Sequence, residues 1–162
     1  MQFLVLSDSH GRYEKINRIL SRAHRCDGVF FLGDGLRDLS CCDINNLYAV
    51  KGNCDYFSLG VGDYEDSLTL TLGNKKIFMT HGHRYGVKHG LDSLIYAAAE
   101  NDADIVLFGH THQREEMRLV PEKVSSLNKP VYFFNPGSIA DGSFGRLDIT
   151  LRGEILFSHG EV

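Results

Sequence analysis

Five apolar runs in this chain each break off into a short polar patch, and that pattern limits the fold more than any other feature. The patches are Asp8-Ser9-His10, Gly33-Asp34, Gly52-Asn53, His81-Gly82-His83 and Gly109-His110-Thr111-His112. The runs Phe3–Leu6, Val29–Leu32, Ile105–Phe108 and Val131–Phe134 carry no polar residue, as expected of central strands covered on both faces. Ile16, Ile19, Leu20 and Ala23 recur at helical spacing, as do Leu91, Leu94, Ile95 and Ala98. Gly73-Asn74 and Arg152-Gly153 each sit between alternating segments and predict tight hairpins. The expected architecture is α/β: two packed, mainly mixed β-sheets flanked by helices. No repeat or linker interrupts residues 1–162, which read as one domain, with Pro121 to Lys129 as a surface loop.

Composition narrows the partners. Hydrophobic residues make up 43% of the chain and charged residues 23%, with a formal charge of -4. That balance suits a soluble domain and argues against a basic surface for long nucleic acid. The first apolar run lacks a basic leader and is too short for a signal core or a membrane span, so no membrane association is expected. Cys26, Cys41, Cys42 and Cys54 form no CxxC pair and read as reduced thiols, which points to the cytoplasm.

Asp8, Asp34, Asn53, His81 and His110 all fall at or just past the carboxyl end of an apolar run, where strand ends converge on one crevice in open α/β sheets. One such Asp is ordinarily a turn residue or cap, and one such His is ordinarily satisfied by a hydrogen bond. Five together imply a metal site. Oxygen and imidazole donors suit Mn, Fe or Zn, and a carboxylate such as Asp34 can bridge two ions. Asp8, His10, Asp34, Asn53, His81, His110 and His112 supply enough donors for two divalent ions, if Asp34 is shared. The resulting centre stays positive and attracts anionic phosphate, while metal binding brings the pKa of water to about 7.

In this order the patches closely resemble the calcineurin-like metallophosphoesterases, through DxH, GD, GN, HGH and GHTH between Asp8 and His112. The Asn135-Pro136-Gly137-Ser138 segment is similar to that of the compact bacterial and archaeal phosphodiesterase branch. The resemblance implies a two-sheet sandwich in which Asp8, His10, Asp34 and His112 hold one metal and Asp34, Asn53, His81 and His110 the other. Manganese is the expected ion, with Fe, Zn, Co or Ni as alternatives. The implied reaction is in-line attack of a metal-bridging hydroxide on a small phosphate ester. Two departures refine it: many members have GNH[DE], whose His protonates the leaving group, and GDxxD, whose second Asp orients that His. Here Cys54 and Arg37 stand at those places, with Asp38, one residue later, as a candidate spatial substitute for the orienting Asp. General acid help is worth about 10²–10⁴-fold and matters most for poor leaving groups, so phosphodiesters are the expected substrates.

The catalytic candidates are Asp34, Asn53 and His83, and the substrate-binding candidates are Asn53, Arg12 and Arg84. His83 reads either as a proton donor or phosphate contact, or as a solvent-facing neighbour of the ligands. Arg12 and Arg84 read equally as phosphate contacts or as solvated charges. Cys54 reads as a space-filling residue ahead of the alternative, a weak acid or redox-sensitive thiol beside the metals. Ser9 is a cap or an anion contact, and the 135–138 segment a turn or part of the cleft wall. His24, His89 and His159 are expected at the surface or in ordinary hydrogen bonds. Two rival functions remain open: a non-catalytic interaction scaffold on the same fold, and a nuclease. Homo-oligomerisation is compatible with each.

Overall fold

The computed structural model describes residues 1–23, 26–56 and 62–162. His24 lies outside the described residues. The first sheet takes strands β1 (Gln2–Leu6), β2 (Gly28–Phe31), β3 (Leu47–Ala49), β9 (Ser143–Ile149) and β10 (Ile155–Glu161). Their order is β10-β9-β1-β2-β3, with β1, β2 and β3 parallel and β9 antiparallel to both of its neighbours. The second sheet takes β4 (Ser67–Leu72), β5 (Lys75–Thr80), β6 (Ile105–Leu107), β7 (Arg114–Leu119) and β8 (Val131–Pro136), in the order β4-β5-β6-β8-β7. Here β5, β6 and β8 are parallel and both edge strands antiparallel. Both sheets are therefore mixed, as expected.

The unbroken apolar runs follow from burial on both faces. Along β1, Phe3 and Val5 enter the core between the sheets, while Leu4 and Leu6 face the layer of helix α1 (Tyr13–Arg22). Along β6, Ile105 and Leu107 face inward, and Val106 packs outward with Leu94, Ala97 and Ala98 of α2 (Asp92–Glu100). Each helix presents the apolar face read from its spacing, although Ala23 and Leu91 are capping residues rather than helical ones. Both hairpins form, and Gly73 and Asn74 adopt the left-handed φ values of 53° and 61° that a twisted two-residue turn demands.

Three features depart from the sequence reading. Strand β7, Arg-Glu-Glu-Met-Arg-Leu, was not anticipated, because an edge strand tolerates charge and alternates only between exposed and half-buried positions. Strand β3 and the 3₁₀ turns at Leu36–Cys41 and His83–Tyr85 are too short to leave a periodic signal. The segment Pro121 to Lys129 is not purely a surface loop: Leu127 is 3% exposed and plugs the outer core beside α2.

Candidate metal centre

Strands β1, β2, β3, β5 and β6 end at Leu6, Phe31, Ala49, Thr80 and Leu107, and each expected patch follows one of these ends within a few residues. The backbone there is unusual. Asp8, His10, Asp34, His110 and His112 all have left-handed φ, from 44° to 69°, although none is glycine. Such residues cost on the order of 1–3 kcal/mol each and collect where function holds them. Five of the seven proposed ligands share this conformation, so the loops are shaped to aim side chains.

The side chains meet. His10 Nε2 and His112 Nε2 are 3.3 Å apart, and His81 Nε2 and His110 Nδ1 are 3.2 Å apart. Asp34 Oδ2 lies 3.3 Å from His81 Nε2. Asp8 Oδ1 is fully buried with no hydrogen-bond partner among the described residues, yet His112, His81 and His10 nitrogens surround it at 3.1, 3.9 and 3.7 Å. Its other oxygen, Oδ2, accepts bonds from Ser7 Oγ and from the His110 N–H. Among the described residues, three groups have donor atoms within 4.8 Å of one another: Asp8-His10-His112, His10-Asp34-Cys54 and Asp34-His81-His110. His10 and Asp34 each belong to two groups, which links all three into one cluster.

Protonation follows the same contacts. Burial alone raises the Asp34 carboxyl, but the His81 hydrogen bond and charge, with the Cys54 N–H, hold it well below the carboxylate range. Burial likewise disfavours charged His81, yet Asp34 and Asp8 beside it raise its pKa overall. His110 is lowered to about 4 by burial and then by His81. His83 is lowered by the same two causes. The Cys54 thiol is pushed up to about 11 by burial and then by Asp34.

Other candidates are less centrally placed. The Asn53 side chain is exposed and its Nδ2 donates to Cys54 Sγ at 3.3 Å. His83 sets its ring at a tilt to His81 and edge-on to His110, with centroids 5.4 and 6.1 Å away, and its Nδ1 is buried without a hydrogen-bond partner among the described residues. Arg84 is already engaged, bonding Tyr56 Oη at 2.7 Å and pairing with Asp66 at 2.9 Å. Arg12 is exposed at the N-terminal boundary of α1. His89 is exposed, and His159 bonds the Asn135 carbonyl at 2.8 Å while stacking on Phe134, as expected for histidines outside the centre.

Sequence reasoning missed the braces. Asp55 is 4% exposed, and its carboxylate accepts the backbone N–H groups of Asp34, Gly35, Leu36 and Gly52 at 2.8 to 3.0 Å. Asp38 does not orient an acid; it accepts from Ser9 Oγ at 2.5 Å and Gly11 N at 2.8 Å, tying the Asp8–His10 loop to the Asp34 loop. Ser9 is thus a structural contact. The 135–138 turn is a brace as well: Asn135 Nδ2 donates to the Gly109 carbonyl and Thr111 Oγ1, and Ser138 Oγ to the Asp8 carbonyl. The available signal for Asp55 was its place as the acidic residue of GNH[DE].

Close approach makes Gly52 a further brace. A Cβ there would lie 2.5 Å from Asp34 N and would overlap the Asp34 carboxylate. Gly52→Ala is expected to cost about 1–3 kcal/mol of stability through overpacking. It should also displace Asp34 and weaken divalent-ion binding, measured by urea unfolding and calorimetry. Unchanged ion affinity would show that the Asp34 position tolerates the methyl group.

The fold and the cluster place the molecule among the phosphoesterases that gather Asp and His at strand ends. The chain belongs to the calcineurin-like phosphoesterase superfamily, whose domain model matches residues 1–152. It is 39% identical over 113 residues to a Bacillus subtilis (strain 168) protein named Probable metallophosphoesterase YsnB, an alignment covering 69% of this chain and 64% of that protein. The matched stretch thus spans a little under two thirds of that relative's length. A predicted phosphoesterase from Streptococcus pneumoniae TIGR4 superposes with a TM-score of 0.70 at 26% identity, covering 99% of this chain and 97% of the other. Vacuolar Protein Sorting 29 from Cryptosporidium parvum superposes at 0.71 with 19% identity, covering 99% and 97%, a likeness of fold alone. Among the described residues, no helix is long and apolar enough to cross a membrane.

Proposed function

We propose that this chain hydrolyses small phosphodiesters with two divalent ions, preferably manganese, held by Asp8, His10, Asp34 and His112 and by Asp34, Asn53, His81 and His110. The observation that carries the reading is Asp8 Oδ1, a fully buried carboxylate oxygen without a hydrogen-bond partner among the described residues, ringed by imidazole nitrogens. An unpaired buried charge is costly, and so are paired imidazole nitrogens at 3.2 and 3.3 Å unless a proton or a cation lies between them. Cations there satisfy both. The donor set of carboxylate, imidazole and amide fits such ions. When bound, they supply a hydroxide nucleophile near neutral pH and positive charge for the phosphoryl oxygens.

The chain's own residues set the selectivity. Asp34 joins the two ligand groups, and Asn53 beside it is the proposed phosphate contact. Arg84 is charge-balanced by Asp66, so Arg12 is the stronger candidate for an outer phosphate oxygen. Burial and then His81 lower the His83 pKa, which disfavours its protonated form, and Cys54 with its thiol pushed up to about 11 is a weak acid. Neither replaces the missing acid well. The leaving group therefore departs with little proton assistance, which favours diesters with acidic leaving groups over alkyl monoesters.

The test is a panel of aryl diesters, cyclic nucleotides, pyrophosphates and alkyl monoesters, each assayed with Mn, Fe, Zn, Co, Ni and Mg. With Mn, kcat/KM on an activated aryl diester is expected to exceed that on an alkyl monoester by at least about 100-fold. Chelation should abolish both activities. Equal efficiency on the two esters would defeat the diester reading, and no turnover on any ester would favour a scaffold.

A further inference from the structure

We propose that Cys54 is a soft sulfur donor at the junction of the two ligand groups, giving this centre a third, thiophilic way to hold a cation through His10, Asp34 and Cys54. The inference rests on the dinuclear reading above and adds to it a ligand that the reading does not use. Its Sγ lies within 4.8 Å of donor atoms of both His10, a member of the first ligand group, and Asp34, the residue common to both. Its own backbone N–H donates to Asp34 Oδ1 at 2.7 Å, which holds the Cys54 main chain beside that carboxylate. Cys54 is exposed, so a cation arriving from solvent can reach it.

The orphaned oxygen that supports the dinuclear reading also bears on this group, through the His10 that both share. Asp8 Oδ1, fully buried and without a hydrogen-bond partner among the described residues, lies 3.7 Å from Nε2 of the same ligand, His10, in the neighbouring group Asp8-His10-His112. A cation held by His10, Asp34 and Cys54 would meet imidazole, carboxylate and sulfur together. That mixture discriminates among ions: thiolate selects zinc-like and cadmium-like ions, whereas manganese prefers oxygen. On binding, the S–H proton leaves to solvent and the sulfur lone pair forms the bond to the ion, with no change of oxidation state. The centre would thus hold manganese through oxygen and nitrogen, and a thiophilic ion with Cys54 as an added donor.

The experiment reads sulfur–metal bonding directly and does not require turnover. The full chain carrying Cys26→Ser, Cys41→Ser and Cys42→Ser keeps Cys54 as its one thiol; it is titrated with Cd²⁺, Co²⁺ and Mn²⁺ beside the same protein carrying Cys54→Ser. Equilibrium dialysis gives stoichiometry, and ultraviolet-visible absorbance reports thiolate-to-metal charge transfer. A charge-transfer band with Cd²⁺ and Co²⁺ is expected when Cys54 is present and should vanish with Cys54→Ser. Cd²⁺ affinity should then fall by at least about tenfold, since even an outer partner of a metal ligand is worth about 10–100-fold. Mn²⁺ affinity should hold. Two bound ions per chain with no charge-transfer band, or Cd²⁺ affinity indifferent to Cys54→Ser, would overturn the proposal and leave the dinuclear reading intact. Failure of every ion to bind would overturn both.

Discussion

Asp34→Asn is expected to lower kcat on an aryl phosphodiester by about a thousandfold or more, on the order of 4 kcal/mol of transition-state stabilisation, with little loss of stability. The substitution is nearly isosteric. The amide oxygen can still accept the Cys54 N–H that now bonds Asp34 Oδ1 at 2.7 Å, so the loop has no reason to move. What disappears is the negative charge shared by two of the donor groups and the oxygen facing His81 Nε2 at 3.3 Å. Of the two carboxylates, Asp8 and Asp34, that would hold the divalent ions, one would be lost, so ion stoichiometry should fall along with turnover. Isothermal titration of Mn²⁺ beside steady-state kinetics checks both effects. A variant that keeps two ions and full activity would remove Asp34 from the bridging position.

The fold could be read where burial is symmetrical. A strand such as Phe3–Leu6 feeds the inter-sheet core from one face and the α1 layer from the other, so every residue must be apolar and the run stands out. Strand β7 is bounded by solvent along one edge, and its Arg and Glu residues erase that signal. The centre was legible for a related reason: ligands follow strand ends, and strand ends are marked by the switch from apolar to polar. The structure brings Asp8, His10, Asp34, His81, His110 and His112 together, whereas the Asn53 side chain is directed at Cys54. The braces stayed hidden because their partners are backbone N–H groups. A carboxylate such as Asp38 looks like any surface acid in a sequence until Ser9 and Gly11 are folded against it. The same holds for Cys54: its residue type suggested filler, and only its approach to His10 and Asp34 gives it chemistry.

Asp55→Ala is expected to destabilise the protein by on the order of 4–5 kcal/mol, among the largest effects a single substitution produces. One buried carboxylate satisfies four backbone donors from two loops: Asp34, Gly35 and Leu36 after β2, and Gly52 after β3. A hydrogen bond to a charged group contributes about 1.5–3 kcal/mol net, and water entering the vacated space recovers part of the sum. Net stabilities of about 5–15 kcal/mol leave little margin for such a loss. The backbone being clamped is strained, since Asp34 has φ 58°, so the four bonds also offset a conformational cost of about 1–3 kcal/mol. Without them the loop should relax and carry Asp34 out of reach of His81. Asp55→Asn separates packing from bonding: its amide oxygen keeps one acceptor, while its NH₂ group opposes backbone N–H donors, so roughly half the cost is expected. Urea unfolding of both variants, with Mn²⁺ affinity measured on whatever remains folded, checks the order. A loss below about 1 kcal/mol in Asp55→Ala would mean that the loops hold their shape without the clamp. The strain at Asp34 would then have to be balanced by contacts on the β1 side, where the Asp8 N–H bonds the Gly33 carbonyl and the His10 N–H bonds the Asp34 carbonyl.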